Sequence, residues 1–383
     1  MLALPKRIVI KLGTNVVIEN DGETPHLERI RSFASDIAEL RAQNCEVVIV
    51  SSGAIGLGRD ILKGKSANKS LLDKQACATV GQPALMALWR EVLGEHQIVT
   101  AQLLLTANDF ERRESYLNLH QTIEQLLSLG VVPIINENDA TSISEIKENS
   151  ESSFGDNDRL SALVAARIGA QALLILTTTD GIFSENPEHN PDAAQISRIE
   201  SLEELSNIVT SGSSSKGRGG MSAKLVAART AALCGVTVQI SSGFLPKAIQ
   251  RALYENKGTI IDAQKGVSLR KGWIGHSSGY RGVLVINQGA KQSLLLSGAS
   301  LLPVGVVSLR GDFARYDVVQ IEDQSGVQIG RGLSSFSSSD LDRCKGLKTQ
   351  EIVARMSSSI GPRTALEAVH RDNLVLFIGE DDV

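Results

Sequence analysis

EVVIVSSGAIGLG, residues 46–58, decides the fold. Val47, Val48, Ile49 and Val50 are all β-branched and carry no polar interruption, the pattern of a strand buried on both faces. A strand of that kind belongs to a parallel sheet flanked by helices. It runs straight into Ser51-Ser52-Gly53, which sets a polar, glycine-bearing turn at its carboxyl end. The alternation repeats outward in both directions. Upstream, RIVIKL (7–12) is a short apolar strand ending at Gly13, and Leu27, Ile30, Ala34, Ile37 and Ala38 recur at helical spacing between 26 and 43. Downstream, helices are expected over 83–95, 116–129, 158–168, 221–233 and 246–255, interleaved with strands over 98–106, 131–139, 172–181 and 236–241. The fold class is α/β, a three-layer α/β/α sandwich with a mainly parallel sheet.

After about residue 260 the helical period gives way to short runs with glycine or polar breaks: GVLVIN (282–287), VGVVSL (304–309), YDVVQIE (316–322) and GVQIGRGL (326–333). Close-spaced short strands point to a small C-terminal β-barrel or sandwich. The expected organisation is an α/β domain over 1–260, a linker over 261–280, a β-rich domain over 281–370 and a tail over 371–383. The serine-rich stretches 210–220 and 334–340 are expected to be mobile loops.

Composition narrows the function. The 383 residues are 42% hydrophobic and 21% charged, ordinary globular usage with ample material for a core. Thirty-nine basic against 43 acidic residues give a net charge of −4, which argues against a general nucleic-acid or membrane-surface binder. Residues 282–383 hold ten basic and twelve acidic side chains, so the C-terminal part offers no surplus positive charge for RNA. Cys45, Cys77, Cys234 and Cys344 are scattered, with no CxxC pair, and the six histidines are dispersed. Neither a disulfide framework nor a zinc site is expected, and no protein-held metal. No apolar run approaches the ~18 residues of a membrane span, and the expected location is the cytoplasm.

In an open parallel sheet the ligand lies beyond the carboxyl ends of the strands. Those ends carry Lys11-Leu12-Gly13-Thr14-Asn15, Ser51-Ser52-Gly53-Ala54, Asn136-Glu137-Asn138-Asp139 and Thr177-Thr178-Thr179-Asp180-Gly181. Lys11 interrupts a buried strand. Alone it would be a snorkelling lysine, but the following Gly-Thr-Asn permits close backbone approach to an anion. GRGGMSAK (217–224) brings glycines into a helix start, where free N–H groups and the dipole favour an anion, with Lys224 one turn in; a plain flexible linker is the equal alternative. The glycines at 13, 53–58 and 217–220 thus fall where strand ends must approach phosphate and substrate. Asn136–Asp139 packs amides and carboxylates after an apolar strand, which favours a polar, amine-bearing substrate over an ordinary turn. Asp158 opens a helix, where capping suffices to explain it taken alone; Asn157 and Asp158 beside a lysine-lined site would also bind substrate and orient the lysines.

No Walker motif is present, since Arg59 stands where its first glycine would be, and GAIGLG has its glycines in the wrong order for a dinucleotide fingerprint. HExxH is absent too. Two lysines, an anion cradle and no outstanding histidine or cysteine nucleophile fit phosphoryl transfer, a reaction that needs positioning and charge neutralisation. An acceptor already ionised, such as a carboxylate, needs no base.

KLGTNVV (11–17), VVIVSSGAIGLG (47–58), VVPIINEND (131–139), GDNDRLSALVA (155–165) and GRGGMSAK (217–224) occur in the order and spacing of the amino acid kinase superfamily, which the chain resembles. SLLPVGVVSLRGDF (300–313) and VQIGRGL (327–333) resemble the PUA domain that one branch carries at its C-terminus, so the likeness covers nearly the whole chain. The resemblance implies transfer of the ATP γ-phosphate to the side-chain carboxylate of L-glutamate, the first step of proline biosynthesis. N-acetylglutamate, aspartate or a nucleotide are the rival acceptors within the superfamily, and RNA binding by the PUA-like part is the rival class. It implies that Lys11 and Lys224 contact phosphates, that Asp158 organises them, and that Ser52, Asp139 and Asn157 hold glutamate. Thr177 and Thr178, with Arg218, Gly219, Gly220, Met221, Ser222, Ala223 and Lys224, would bind ATP, and Mg2+ would arrive on the nucleotide. It further implies a homo-oligomer, a dimer or tetramer, inhibited by proline. Arg218, Ala223 and Thr178 replace the usual Thr, Thr and Asp, and Arg315-Tyr316-Asp317 replaces Arg-Gly-Asp.

Overall fold

The structure, a computed structural model, describes residues 4–19, 23–63, 70–106, 109–110, 113–141, 157–185, 187, 190, 192–201, 203–205, 208, 221–264, 274–275, 280–348, 351–352 and 367–377. They fall into two compact units, 1–107 with 118–266, and 108–117 with 267–383.

In the first unit β1 (Arg7–Leu12) leads through a helical turn α1 (Thr14–Val17) to α2 (Leu27–Ala42) and β2 (Glu46–Ser51). Two consecutive helices follow, α3 (Ala54–Leu62) and α4 (Leu71–Gly94), then β3 (Thr100–Leu105), α5 (Arg113–Ser128) and β4 (Val132–Glu137). Next come α6 (Asn157–Arg167) and β5 (Ala172–Thr177), followed by three two-residue strands: β6 (Ile182–Phe183), β7 (Gln195–Ile196) and β8 (Arg198–Ile199). The unit closes with α7 (Met221–Leu233), β9 (Thr237–Ser242), α8 (Ala248–Glu255) and β10 (Thr259–Ile261). Eight strands form one sheet in the order β3-β4-β2-β1-β5-β9-β10-β8, parallel except for the antiparallel β10–β9 pair. The mainly parallel α/β reading therefore holds.

Strand parity sorts β1. Ile8, Ile10 and Leu12 join Val47, Ile49, Leu174 and Leu176 in one cluster with Ile30, Phe33 and Ile37 of α2, Leu85 and Trp89 of α4, and Ile249 of α8. Successive residues point to opposite faces, so Val9 and Lys11 project the other way, where α6 lies against β1. Lys11 pairs in register with Val50 and Ile175, in mid-sheet. At the opposite end of the strand Arg7 ties neighbouring elements together, reaching Glu46 at 2.7 Å, Glu124, and the Ile168 carbonyl.

Three local expectations change. The glycine-rich 54–62 is a helix, and Gly58 within it serves packing. A Cβ on Gly58 would lie 1.8 Å from the Cys77 carbonyl oxygen, and one on Gly81 1.9 Å from that of Ala54, so α3 and α4 cross at backbone contact. α4 begins at Leu71, not near Pro83, because Ser70 and Asp73 form a capping box that starts it twelve residues earlier, and Pro83 sits inside. The serine run at 334–340 is no loose loop: Ser337 caps α10 (Ser338–Cys344), its hydroxyl accepting from the Asp340 amide. The serine-rich 210–220 lies outside the described residues.

In the second unit β11 (Gly282–Ile286), α9 (Gln288–Ser297), β12 (Val306–Arg310), β13 (Val318–Asp323), β14 (Gln328–Ser334), α10 and β15 (Val369–Leu376) form a five-stranded mixed sheet ordered β12-β11-β13-β14-β15. Leu301, just before β12, exchanges both backbone hydrogen bonds with Val369 of β15 at 2.8 and 3.1 Å, which draws the edges of the sheet together in a barrel-like curl. Leu284, Ile286, Phe313, Val319, Ile321, Phe336 and Leu341 fill it. The helices α9 and α10 and the strand β15 are additions to the expected run of strands. Among the described residues no helix is long and apolar enough to cross a membrane.

Gly58→Ala and Gly81→Ala are each expected to destabilise the first unit by about 1–3 kcal/mol, the range for overpacking. Gly94→Ala, with open space around its Cβ, should be neutral or mildly stabilising. Calorimetric unfolding of the three variants checks this; equal midpoints would contradict the close crossing. A second test concerns Asp36, buried on α2, which accepts from the Ile249 amide at 3.1 Å. Burial pushes its carboxyl up to about 6. A pKa raised on folding contributes stability below the unfolded value near 3.8 that is lost as pH rises through about 6. Asp36→Asn should therefore gain stability relative to the parent between pH 4.5 and 7.5, and a difference independent of pH would refute it.

Candidate active site

The site stands where β1, β2, β4 and β5 end. A cleft of about 520 Å³ is lined there by residues that include Lys11, Ser52, Asn136, Asp139, Asn157, Asp158, Thr177, Thr178, Met221 and Lys224. At its centre is an ion triad in which Lys11 and Asp158 are buried and Lys224 is half-buried. The Lys11 Nζ lies 2.5 Å from Asp158 Oδ1, and the Lys224 Nζ donates to Asp158 Oδ2 at 3.1 Å. Exposure is 4% for Lys11 and 1% for Asp158. Strand parity aims Lys11 at α6, the start of α6 supplies the carboxylate, and the first turn of α7 brings Lys224 to its other oxygen. Burial alone would push the Asp158 carboxyl up; the two ammonium groups outweigh it and hold it below the usual carboxylate range. Asp158 is a helical residue with both oxygens engaged by lysines, so capping does not account for it.

The other wall is built from amides. The Asn157 Nδ2 donates to Ser52 Oγ at 2.7 Å and to Asn136 Oδ1 at 3.0 Å, while Asn136 Nδ2 donates to Gln82 Oε1 at 2.8 Å. Glu137 is buried beside them and lines the cleft with Asp139. Ser52 is set by its neighbours: Trp89 Nε1 donates to the Ser51 hydroxyl at 3.0 Å, which donates to the Ser52 carbonyl at 3.1 Å. Gly53 turns the chain at φ +116°, a conformation open to glycine, and α3 starts directly after it. The cleft thus has two poles, cations at the β1 and α7 end and carboxylates at the β4 end.

Of the residues singled out from sequence, Lys11, Ser52, Asp139, Asn157, Asp158, Thr177, Thr178, Met221 and Lys224 all line this cleft. Ser222 and Ala223, on the same turn of α7, are not among its walls; residues 221 and 224 are one helical turn apart and share a face. Arg218, Gly219 and Gly220 lie outside the described residues. Sequence reasoning passed over Gln82. A signal existed: Ala78, Gln82, Leu85, Trp89 and Val92 form one buried stripe of α4 in which Gln82 is the polar member. With the helix expected to begin at 83, the stripe was not visible.

An α/β sheet with a cation pair at its carboxyl edge is the frame of a phosphoryl-transfer enzyme, and known proteins narrow the class. Residues 6–242 match the amino acid kinase family and residues 282–356 the PUA domain. A glutamate 5-kinase of Trichlorobacter lovleyi is 39% identical over 380 residues, 98% of this chain and 98% of its own. Those of Dictyoglomus thermophilum, at 39%, and Herminiimonas arsenicoxydans, at 42%, each align over 97% of this chain and 98% of their own. The chain belongs to the amino acid kinase family, in the branch formed by the PUA-bearing glutamate 5-kinases.

Asp158→Asn leaves the buried Lys11 and half-buried Lys224 ammonium groups without their shared counter-charge. It should cost about 3–5 kcal/mol, the range for breaking a buried pair, and Lys224→Met in the same chain should recover part of that loss. Denaturant unfolding of the single and double variants measures both, and a strictly additive double variant would speak against the triad.

Proposed function

We propose that the protein transfers the terminal phosphoryl group of ATP to the side-chain carboxylate of L-glutamate, giving glutamyl 5-phosphate, the first step of proline biosynthesis. The observation that carries this reading is Asp158 held between Lys11 and Lys224 on one wall of a cleft whose other wall is an amide and carboxylate patch. A carboxylate acceptor is ionised at neutral pH and attacks without a general base, so the protein need only align the reactants and neutralise charge. No histidine or cysteine stands among the described cleft residues. Lys11 and Lys224 neutralise charge on the moving group, and Asp158 keeps the two amines convergent. Ser52, Asn157 and Asp139 hold the amino acid, its ammonium toward the carboxylate pole. Thr177, Thr178 and Met221, with the 218–224 segment, hold the nucleotide.

Among the described residues no group of three or more His, Cys, Asp or Glu side chains could hold a metal. Mg2+ would be held by the nucleotide phosphates and waters, where it would offset phosphate charge. Proline shares the α-amino-acid half of glutamate and is the expected inhibitor at the same pole. The enzyme is proposed to be cytoplasmic and homo-oligomeric, a dimer or tetramer.

An ADP-release assay over L-glutamate, N-acetylglutamate, L-aspartate and UMP, with and without proline, tests the reading. Turnover is expected with L-glutamate, and turnover on another acceptor in its place would sink it. Lys224→Ala should lower kcat at least ~100-fold, the scale for removing one charge-stabilising donor, with unchanged secondary structure by circular dichroism.

A further inference from the structure

We infer that Gln82, in the middle of α4 and outside the reacting centre, is a positioning residue that sets acceptor specificity by fixing the polarity of the amide relay Gln82–Asn136–Asn157–Ser52. The inference rests on the proposed reading of the cleft as a site for an amine-bearing acceptor.

A primary amide has a donor and an acceptor end, and rotation by half a turn exchanges them. Asn136 is buried on β4, and alone it would offer Asn157 either end. Gln82 removes the choice. Its Oε1 takes the Asn136 N–H, which leaves Asn136 Oδ1 to accept from Asn157. Asn157 must then spend its Nδ2 on Asn136 and on Ser52 Oγ, and its Oδ1 is left buried with no hydrogen-bond partner among the described residues. An amide oxygen buried without a donor is costly, and the substrate group that satisfies it must bring N–H or O–H. An ammonium does so; a second carboxylate does not. The relay thus makes one pole of the cleft an ammonium reader while the lysines at the other take the phosphoryl group.

Gln82 is well placed for this. It is 7% exposed, and its neighbour Gly81 locks α4 against the Ala54 carbonyl, while Trp89, two turns on along the same stripe, fixes Ser51. The helix holding the relay's far end is therefore pinned at backbone contact to the helix that begins beside Ser52.

Two substitutions separate polarity from packing. Gln82→Met keeps the shape and removes the acceptor; Gln82→Glu keeps an acceptor on the same arm. For Gln82→Met the KM of the amino-acid acceptor should rise about tenfold, a loss of ~1.4 kcal/mol. The KM for ATP should stay within twofold. Gln82→Glu should keep the acceptor KM within about threefold of the parent. An unchanged acceptor KM in Gln82→Met, an equal rise in both KM values, or a Gln82→Glu enzyme as impaired as Gln82→Met would overturn the proposal. If Gln82→Met melts far below the parent, Gln82→Glu decides alone, a tenfold rise in its acceptor KM counting against. All KM values are taken with the acceptor that the parent enzyme phosphorylates. Failure of the parent on L-glutamate thus overturns the glutamate reading, while the effect of Gln82 is still read on the amino acid it does use.

Discussion

Two ammonium groups cannot be buried side by side without a counter-charge, and the arrangement of the first unit follows from that constraint. Lys11 is in mid-sheet between β2 and β5 and cannot reach water along its strand. It needs an anion on the face toward which parity turns it, and the start of α6 supplies Asp158. Once Asp158 is there, its second oxygen fixes where α7 must begin, because Lys224 reaches it from one turn inside that helix. Burial costs each charge heavily, and attraction offsets the cost only where partners are close and aligned. The central strand and two helices are thus tied at one carboxylate.

Much of this was legible in the sequence, for physical reasons that differ from residue to residue. Lys11 alone reads as a snorkelling lysine, and it was the following Gly13-Thr14-Asn15 that made it legible as part of an anion site. Strands such as Val47–Val50 leave no alternative to burial on both faces. Asp158 did not declare itself, because an aspartate at a helix start has a sufficient local explanation, and only tertiary structure shows both its oxygens turned to lysines. Of the glycines of 53–58, Gly53 and Gly56 do line the cleft, but Gly58 misled: glycine enables a ligand-binding turn and a close helix crossing equally well, and Gly58 takes the second use against the Cys77 carbonyl. Tyr316, where the resemblance implies glycine, sits at φ +72°, in the left-handed region that glycine suits better, and nothing in the backbone explains the tyrosine.

The amide wall was half legible. Asn136–Asp139 at a strand end pointed to a polar substrate, but what orients it comes from α4, more than fifty residues earlier. A single polar residue on a buried stripe gains meaning only once the helix is known to extend across it. The capping box at Ser70 and Asp73 supplies that extension, since it offsets the proline inside the helix by securing its start.

Both walls solve the same problem: each holds polar groups in a posture they would not keep alone. Two lysine ammoniums drawn to the same carboxylate repel each other, and the attraction each gains from Asp158 offsets that repulsion. With one anion for two cations the triad keeps one unit of positive charge unneutralised, directed into the cleft. The work of converging those amines is done in folding, so it need not be repeated as charge develops on a transferring phosphoryl group. The amide wall does the same with orientation, committing every N–H of Asn157 to Ser52 and Asn136 before an acceptor arrives. A chain whose overall charge is −4 can therefore present positive charge at one spot, because what matters there is the sign left over at the triad rather than the sum over the surface.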